Sequence, residues 1–199
     1  MAEGLRERKK RQTHGRIASA ALELFAERGF EGATIADIAE RAEISPRTFF
    51  AYFPTKEDVV FADHADDVAS LRGRLAQREP GESAIEAVRA WIPEAMADRD
   101  EALEALRHRL IAENESVAAR NRALTGDFER VLADAVVADL GFDAGDVRTQ
   151  VVARATAGAL GALKDHFDET GTPHDPADLA PVEDALRFLE AGVEALRRR

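Results

Sequence analysis

Apolar residues recur at intervals of three and four along almost the whole chain, which is the pattern of amphipathic helices. Alternating β-branched runs, which would indicate strands, are missing from the sequence. The fold is therefore predicted to be all-α. Breaks, several of them at glycine and proline, separate helices expected at about 13–28, 34–41, 46–52, 56–76, 82–96, 100–113, 116–139, 146–168 and 178–197.

Two of these helices are short and separated by a tight turn. Thr34 is a favourable N-cap for the first, and Asp37 stands three residues later, as an approximate capping box requires. Ser45 is a favourable N-cap for the second, and Pro46 follows it at the first helical position, where its fixed φ suits a helix. The segment therefore predicts a helix-turn-helix.

The second of these helices has one face predicted to point inward, where Phe49 and Phe53 lie four residues apart. Its other face and flanks carry side chains that suit DNA, because arginine bonds guanine edges, threonine and alanine contact thymine methyl groups, and tyrosine donates to phosphate. Lys56 adds a cation at the start of the next helix. From spacing alone, a buried three-helix bundle with a solvated arginine remains an alternative. The exposed residues are Arg47, Thr48, Phe50, Ala51 and Tyr52.

A set of residues with fixed spacing runs through residues 12–60, namely Leu24, Phe25, Gly29, Phe30, Thr34, Ile38, Ala39, Ser45, Tyr52, Phe53 and Lys56. With these residues the segment resembles the N-terminal domain of the TetR family of bacterial transcriptional regulators. The resemblance implies an N-terminal three-helix DNA-binding domain, here 1–56 with a basic N-terminal arm, followed by a larger helical ligand-binding and dimerisation domain, here 57–199. The DNA-binding residues implied are Thr34, Ser45, Pro46, Arg47, Thr48, Phe50, Ala51, Tyr52 and Lys56.

Two positions depart from the family pattern. Glu43 stands in the turn where relatives usually have glycine, so this residue is expected to accept a left-handed conformation at a cost of about 1 kcal/mol. Phe50 stands where many relatives carry a phosphate-binding tyrosine, so a contact there lacks the hydroxyl. Tyr52 could still supply one.

Charge is distributed unevenly along the chain. Of the net charge of −11, residues 1–56 carry +2, from ten Lys or Arg against eight Asp or Glu, and the remainder carries −13. The excess of cations is greatest at the start, in the run ERKKRQTHGR at residues 7–16. Two interpretations of this run stay open, a flexible arm that reaches phosphate or the minor groove and a solvated, partly disordered terminus.

Several classes of protein are disfavoured. The sequence has no cysteine, which excludes disulfides, thiolate zinc sites and thiol redox switches. Neither a bilayer-spanning apolar stretch nor a secretory segment is present, so a cytoplasmic protein without a membrane partner is predicted. No metal, cofactor or catalytic residue is predicted, because nucleotide-binding and hydrolase motifs are missing and the histidines lack metal-ligand spacing. These are His14, His64, His108, His166 and His174.

The last helix has the clearest periodicity, an unbroken seam of apolar residues three and four positions apart that suits helix-on-helix packing. It consists of Leu179, Val182, Leu186, Leu189, Val193 and Leu196. The preceding helix offers a second row, Val147, Val151, Ala155, Gly158 and Leu163. Periodicity alone leaves open whether these rows pack within one chain or against a second copy. The resemblance implies a homodimer through helices 146–168 and 178–197, which would place two recognition helices on a near-palindromic operator.

Residues 57–140 are implied by the resemblance to hold an unknown small-molecule effector. The helix predicted at 56–76, which begins at Lys56, is the expected lever between effector and DNA, because it leaves the DNA-binding domain and enters the regulatory one. Candidate ligand contacts are Trp91, Met96, Arg107, His108, Asn121 and Phe128. For the apolar three the alternative is ordinary core, which is the more common role of such residues, and for the polar three it is the surface.

These observations together predict a sequence-specific DNA-binding transcriptional regulator, a homodimeric repressor released from a double-stranded palindromic operator by the effector. The alternative is a helical protein-interaction module without specific DNA binding, built on the acidic surface and the apolar seam.

Overall fold

A computed structural model describes residues 4–97, 99–142, 146–170 and 179–197. These residues form helices and turns and contain no strand, which confirms the predicted all-α class. The helices are α1 Leu5–Gly32, α2 Ile35–Arg41, α3 Pro46–Tyr52, α4 Lys56–Val60, α5 His64–Ala76, α6 Ala84–Met96, α7 Glu101–Glu113, α8 Glu115–Leu140, α9 Val147–Thr170 and α10 Ala180–Arg197. None of the described helices is long and apolar enough to cross a lipid bilayer.

The chain forms two compact units. The first comprises the described residues up to His64 together with Arg109–Asn121, and the second comprises Ala65–His108 and the described residues from Arg122 onward. The first unit thus takes in α1 to α4 and a segment from the α7 and α8 region. The division into domains at residue 56 stays a prediction.

The first unit has an aromatic core. The rings of Phe25 and Phe30 lie 5.1 Å apart, and those of Phe49 and Phe53 lie 5.9 Å apart. All four side chains are almost wholly buried, as are Ile17, Leu24, Ile38, Leu110 and Val117. Large rings contribute much buried apolar area per residue, so short helices can be held firmly in this unit.

α1 is longer than the predicted helix 13–28 and is interrupted once. It begins at Leu5, because Arg, Lys, Glu and Gln are good helix formers and the first turns contain no proline. The basic run is therefore helical rather than a flexible arm or a disordered terminus. At Gly29 the backbone leaves the helix with φ 74° and ψ 168°, a conformation that residues with a Cβ rarely adopt. This kink precedes the buried ring of Phe30.

The predicted single helix 56–76 is wrong, since the structure divides it into α4 and α5. The amide of Phe61 donates to Asp58 O at 3.2 Å, and the amide of His64 donates to Phe61 O at 3.1 Å, so the chain tightens into turns here. Val60 is buried in the first unit and Val68 in the second. The helix therefore ends where the chain passes from one core to the other, and no continuous lever leaves Lys56.

The second unit has an aliphatic core in which the α10 seam takes part. Leu186, Leu189 and Val193 are buried in one cluster with residues of α5, α6, α8 and α9, and Val182 and Leu196 pack against it. The seam thus packs within its own chain, which is one of the two arrangements that the periodicity left open. A homodimer through these two helices stays a prediction. An ion-pair bridge supports the packing, because Arg89 of α6 bonds both Glu183 and Glu190 of α10 at 2.9 Å.

The other faces of α9 and α10 remain exposed. Val147 and Val151 of α9 are 69% and 60% exposed, and Phe188 of α10 is 71% exposed. Small exposed residues continue both faces, namely Ala155, Gly158 and Ala162 on α9 and Ala191, Gly192 and Ala195 on α10. Two neighbouring helices therefore present apolar and small side chains to solvent.

Candidate nucleic-acid interface

Side-chain caps fix the ends of α2 and α3. The Thr34 hydroxyl accepts from the amide of Asp37 at 3.1 Å, and the Asp37 carboxylate accepts from the amide of Thr34 at 2.9 Å. The Ser45 hydroxyl accepts from the amide of Thr48 at 3.1 Å, with Pro46 in the first turn. Both predicted caps are confirmed, and they set where each helix begins.

Ion pairs hold α2 against α1. The guanidinium of Arg41 bonds both oxygens of Glu27, at 2.8 and 2.9 Å, in the bidentate geometry that arginine favours. The hydrogen bond from Arg41 lowers the pKa of Glu27. Hydrogen bonds from the hydroxyl and amide of Thr34 lower the pKa of Asp37, and Arg28, 3.6 Å away, lowers it further. Both carboxylates therefore stay ionised while they support the helix-turn-helix.

The turn between α2 and α3 adopts the predicted left-handed conformation. Glu43 has φ 52° and is the non-glycine residue with positive φ among those described. The turn is closed by two backbone bonds, from the amide of Glu43 to Glu40 O at 3.0 Å and from the amide of Ile44 to Ala39 O at 2.9 Å. These bonds compensate the steric cost of a side chain in this region.

α3 orients its side chains as its sequence predicts. Phe49 and Phe53 are buried, whereas Arg47 and Ala51 are exposed. Phe50 is 54% exposed and contacts Phe49 edge to face, with ring centroids 5.6 Å apart. On the flanks, Thr48 and Tyr52 are half-buried, Ser45 and Pro46 are exposed, and the hydroxyls of Ser45 and Thr48 lie 2.8 Å apart. The exposed surface thus combines a guanidinium, hydroxyls, a methyl group and an aromatic ring.

Lys56 is engaged by the protein itself. Its ammonium donates to Phe30 O at 2.7 Å and to Ala33 O at 3.2 Å, and it lies 4.1 Å from the centre of the Phe30 ring. The lysine thus caps the carbonyls at the end of α1. Its predicted contact with phosphate stays a prediction, and that contact would use the third N–H of the ammonium.

Asp58 joins α4 to the beginning of α8 within the first unit. One of its oxygens accepts from the amide and hydroxyl of Thr55 at 2.8 and 2.7 Å, closing a capping box. The other accepts from the guanidinium of Arg120 at 2.6 Å. A single carboxylate therefore caps the start of α4 and also links α4 to α8 through Arg120.

The structure has a basic cleft beside α3 that was not predicted from the sequence. It has a volume of about 660 Å³ and lies between the first turns of α1 and the end of α3. Its lining residues are Leu5, Arg6, Lys9, Lys10, Thr13, Ala51 and Tyr52. Positions 6, 9, 10 and 13 have the spacing of one helical face. The sequence would therefore have predicted a basic face on α1 if the run had been interpreted as a helix.

The candidate ligand contacts belong to both compact units. Trp91 and Phe128 lie with ring centroids 6.2 Å apart, and the Trp91 indole donates to Ser70 Oγ at 3.0 Å. Arg107 is buried and bonds Glu104 at 2.6 Å, so its charge is compensated within the protein. Met96 and His108 are half-buried residues of the second unit, whereas Asn121 belongs to the first unit. Their role in effector binding stays a prediction.

Comparisons with known proteins agree with this architecture along most of the chain. A family model described as bacterial regulatory proteins of the tetR family matches residues 17–62, and a model described as the MftR C-terminal domain matches residues 78–194. The second match alone covers more than half of the chain. The two matches correspond to the helix-turn-helix region and to most of the helices that follow it.

Two relatives extend these matches. The HTH-type transcriptional regulator TcmR of Streptomyces glaucescens is 39% identical over 85 residues, which is 43% of this chain and 38% of TcmR. The mycofactocin biosynthesis transcriptional regulator MftR of Mycobacterium tuberculosis is 29% identical over 164 residues. The match covers 80% of this chain and 82% of MftR. Both relatives are named as transcriptional regulators.

Solved structures share the fold. The fatty acid degradation regulator FadR of Bacillus halodurans matches with a TM-score of 0.57 and 18% identity, covering 95% of this chain and 96% of FadR. FadR of Bacillus subtilis, in complex with stearoyl-CoA, matches with a TM-score of 0.54 and 16% identity, covering 87% and 96%. At 16–18% identity, the likeness establishes that the fold is shared and nothing beyond it.

Proposed function

The chain belongs to the TetR family of bacterial regulatory proteins, and from this premise we propose that it is a homodimeric repressor, released from a palindromic DNA operator by a small-molecule effector. As a member of the family it is a DNA-binding transcriptional regulator that responds to a ligand. Family membership does not favour a protein-interaction module without specific DNA binding.

The exposed face of α3 is the observation that carries the DNA-binding proposal. Arg47 projects from the first turn of α3 with no carboxylate partner among the described residues, so its guanidinium is available to a guanine edge. Ala51, one turn further on, offers a methyl group to thymine, and Phe50 offers a ring between them. Caps and ion pairs hold this face rigid, which lowers the entropic cost of ordering it on DNA.

The hydroxyls of the interface serve the phosphates in this proposal. Thr34 and Ser45 are exposed residues at the beginnings of α2 and α3, where their hydroxyls lie at a positive helix end. Tyr52 offers the phenolic hydroxyl that Phe50 lacks. Lys56 contributes to the interface chiefly through the location of its positive charge, since two of its N–H groups already bond the carbonyl oxygens at the end of α1.

Dimerisation is proposed to use the exposed faces of α9 and α10 rather than the buried seam. Val147, Val151 and Phe188 are large apolar side chains exposed to solvent, and the small residues around them allow close approach of helices from a second copy. A homodimer carries two copies of α3, which suits two half-sites about 34–36 Å apart. The operator would then be a near-palindrome.

The effector is proposed to bind within the second unit. The half-buried aromatic pair of Trp91 and Phe128 supports this proposal, because apolar rings with one polar neighbour, here Ser70, are typical of small-molecule sites. The ligand must prefer one conformation of the protein to the other, since only a difference in affinity shifts DNA binding. The stearoyl-CoA bound by the B. subtilis FadR belongs to a protein of the same fold.

The DNA-binding proposal is tested by selecting bound sequences from a random DNA pool with wild type, Arg47→Ala and Arg72→Ala. Arg72 is an exposed arginine of the second unit and controls for the loss of one positive charge. We expect a palindrome to be enriched, and Arg47→Ala to weaken its binding by about 1–3 kcal/mol, or roughly 5- to 150-fold. No enrichment, or equal losses in both variants, would contradict the proposal.

The dimer proposal is tested by measuring molecular mass in sedimentation equilibrium. Phe188→Ser is expected to shift the protein toward monomers, because it removes the largest exposed apolar side chain of α10. Phe50→Ser is the matched control, since it removes an exposed phenylalanine from α3 and should leave the dimer intact. A Phe188→Ser protein that remains as dimeric as the control would rule out this interface.

A further inference from the structure

We propose that the basic face of the first turns of α1, together with the end of α3, forms a second DNA contact that grips the sugar-phosphate backbone beside the bases that α3 reads. This inference rests on the proposed function and extends its DNA site. It assigns a binding role to α1 residues that precede residue 17, where the family match begins.

The geometry comes from one helical face. Arg6, Lys9, Lys10 and Thr13 are spaced so that all four project from the same side of α1. With Ala51 and Tyr52 they enclose the cleft of about 660 Å³ beside α3. A DNA strand that lies in this cleft would contact α1 and α3 at the same time.

Charge selects the occupant. No carboxylate of the described chain pairs with Arg6, Lys9 or Lys10, and all three are exposed. Although the chain has a net charge of −11, three cations without a carboxylate partner among the described residues line one cleft, and they attract a polyanion. Thr13 and Tyr52 add hydroxyls, which bond phosphate oxygens. The chemistry is thus that of a phosphate backbone and carries no base specificity.

Arg8 of α1 does not join this face. Arg8 lies two positions from Arg6 and from Lys10, which places it about 200° around the helix from each. It is exposed and has the same charge as the cleft residues. Arg8 therefore separates a local contact in the cleft from the general effect of removing one positive charge.

The experiment compares Lys9→Gln, Lys10→Gln and Arg8→Gln in the full-length protein, since glutamine keeps helix propensity. Affinity is measured between 50 and 200 mM salt for the selected palindrome and for a duplex of unrelated sequence. We expect each cleft variant to reduce the slope of log affinity against log salt by about 0.9, because each removes one phosphate contact. Arg8→Gln should keep the wild-type slope, and every variant should select the same sequence.

Equal slopes in all variants, or an equal decrease in Arg8→Gln, would overturn the proposal. The comparison on unrelated duplex still decides it if no palindrome is enriched, so its failure is distinct from failure of the proposed regulator. Phosphatidylglycerol vesicles provide a further arm, since a basic helical face could also bind anionic lipid. Lipid binding that depends on Lys9 and Lys10, with unchanged DNA slopes, would assign the cleft to membranes and overturn the DNA contact.

Discussion

α3 and α10 distribute their side chains in different ways. α3 buries Phe49 and exposes a mixed surface in which Arg47 stands near Phe50 and Ala51. α10 buries Leu186 in its own chain yet exposes Phe188 among small residues. One helix thus has a single apolar face, and the other has two.

The difference indicates which kind of partner each surface suits. A rigid face with a free guanidinium and hydroxyls suits the polar edges of bases, which reward hydrogen bonds in fixed directions. A face with a large ring among alanines and glycines suits another helix, because burial is favourable there without directional bonds. Both surfaces are exposed, but their chemistry separates DNA reading from self-association.

The largest expected effect tests the single buried face of α3. Phe49→Ala should lower the free energy of unfolding by about 3–5 kcal/mol, because it leaves a cavity in the aromatic core. Phe50→Ala loses little burial and should cost about 0.5–1.5 kcal/mol, from its edge contact with Phe49. Urea denaturation followed by circular dichroism measures both. Similar losses in the two variants would show that α3 has no distinct inner face.

The corresponding pair on α10 tests its two faces. Leu186→Ala should lower the free energy of unfolding by about 2–5 kcal/mol. Phe188→Ala should change it by about 0.5 kcal/mol or less at a protein concentration low enough to suppress association. Urea titrations at several concentrations separate the two quantities. If Phe188→Ala were as costly as Leu186→Ala in the dilute sample, its ring would belong to the core.

These contrasts also explain how much the sequence could predict. The faces of α3 followed from Phe49 and Phe53 at one helical interval, and its start followed from Ser45 and Pro46, because caps and aromatic spacing act locally. For α10 the seam predicted a helix and its packing, but which copy of the chain covers it depends on distant helices. The break between Val60 and His64 had no glycine or proline signal, since tertiary packing decides it.

Only part of the candidate site could be predicted from the sequence, for the same reason. Arg47 and Ala51 follow from the periodicity of α3, whereas the cleft depends on how α1 meets α3 in space. The basic run was expected to be a flexible arm or a partly disordered terminus. Good helix formers from Leu5 onward make it helical instead, and so the positions of Arg6 and Lys10 came from the structure.

A smaller effect tests the backbone that positions α3. Gly29→Ala should lower the free energy of unfolding by about 1–3 kcal/mol, because φ 74° with ψ 168° is strained for any residue with a Cβ. The added methyl group meets no atom within 4 Å, so the cost is conformational. Gly15→Ala is the control within the helical part of α1, and it should stabilise the protein by about 0.5–1 kcal/mol. Opposite signs in urea denaturation are the expected outcome.

Acid should weaken the capping box of α2. The hydrogen bonds from Thr34 lower the pKa of Asp37 in the folded state, so its contribution is complete above the unfolded pKa of about 3.9 and is lost as pH falls through the folded pKa. Thermal midpoints of wild type and Asp37→Asn should therefore differ at pH 6 and converge at lower pH. Glu40→Gln, an exposed change on the same helix, controls for charge. A gap that widens in acid would contradict the assignment.

The smallest expected effect concerns the turn that sets the angle between α2 and α3. Glu43→Gly should raise the free energy of unfolding by about 0.5 kcal/mol, because relief of the left-handed strain exceeds the entropy that glycine adds to the unfolded chain. Glu40→Gly, within α2, should instead lower it by about 1 kcal/mol, since glycine in a helix has only the entropic cost. The same substitution at two glutamates three residues apart thus has opposite signs only if Glu43 is left-handed. A decrease in both variants, measured by urea denaturation, would mean that the turn has relaxed to a conformation any residue can adopt.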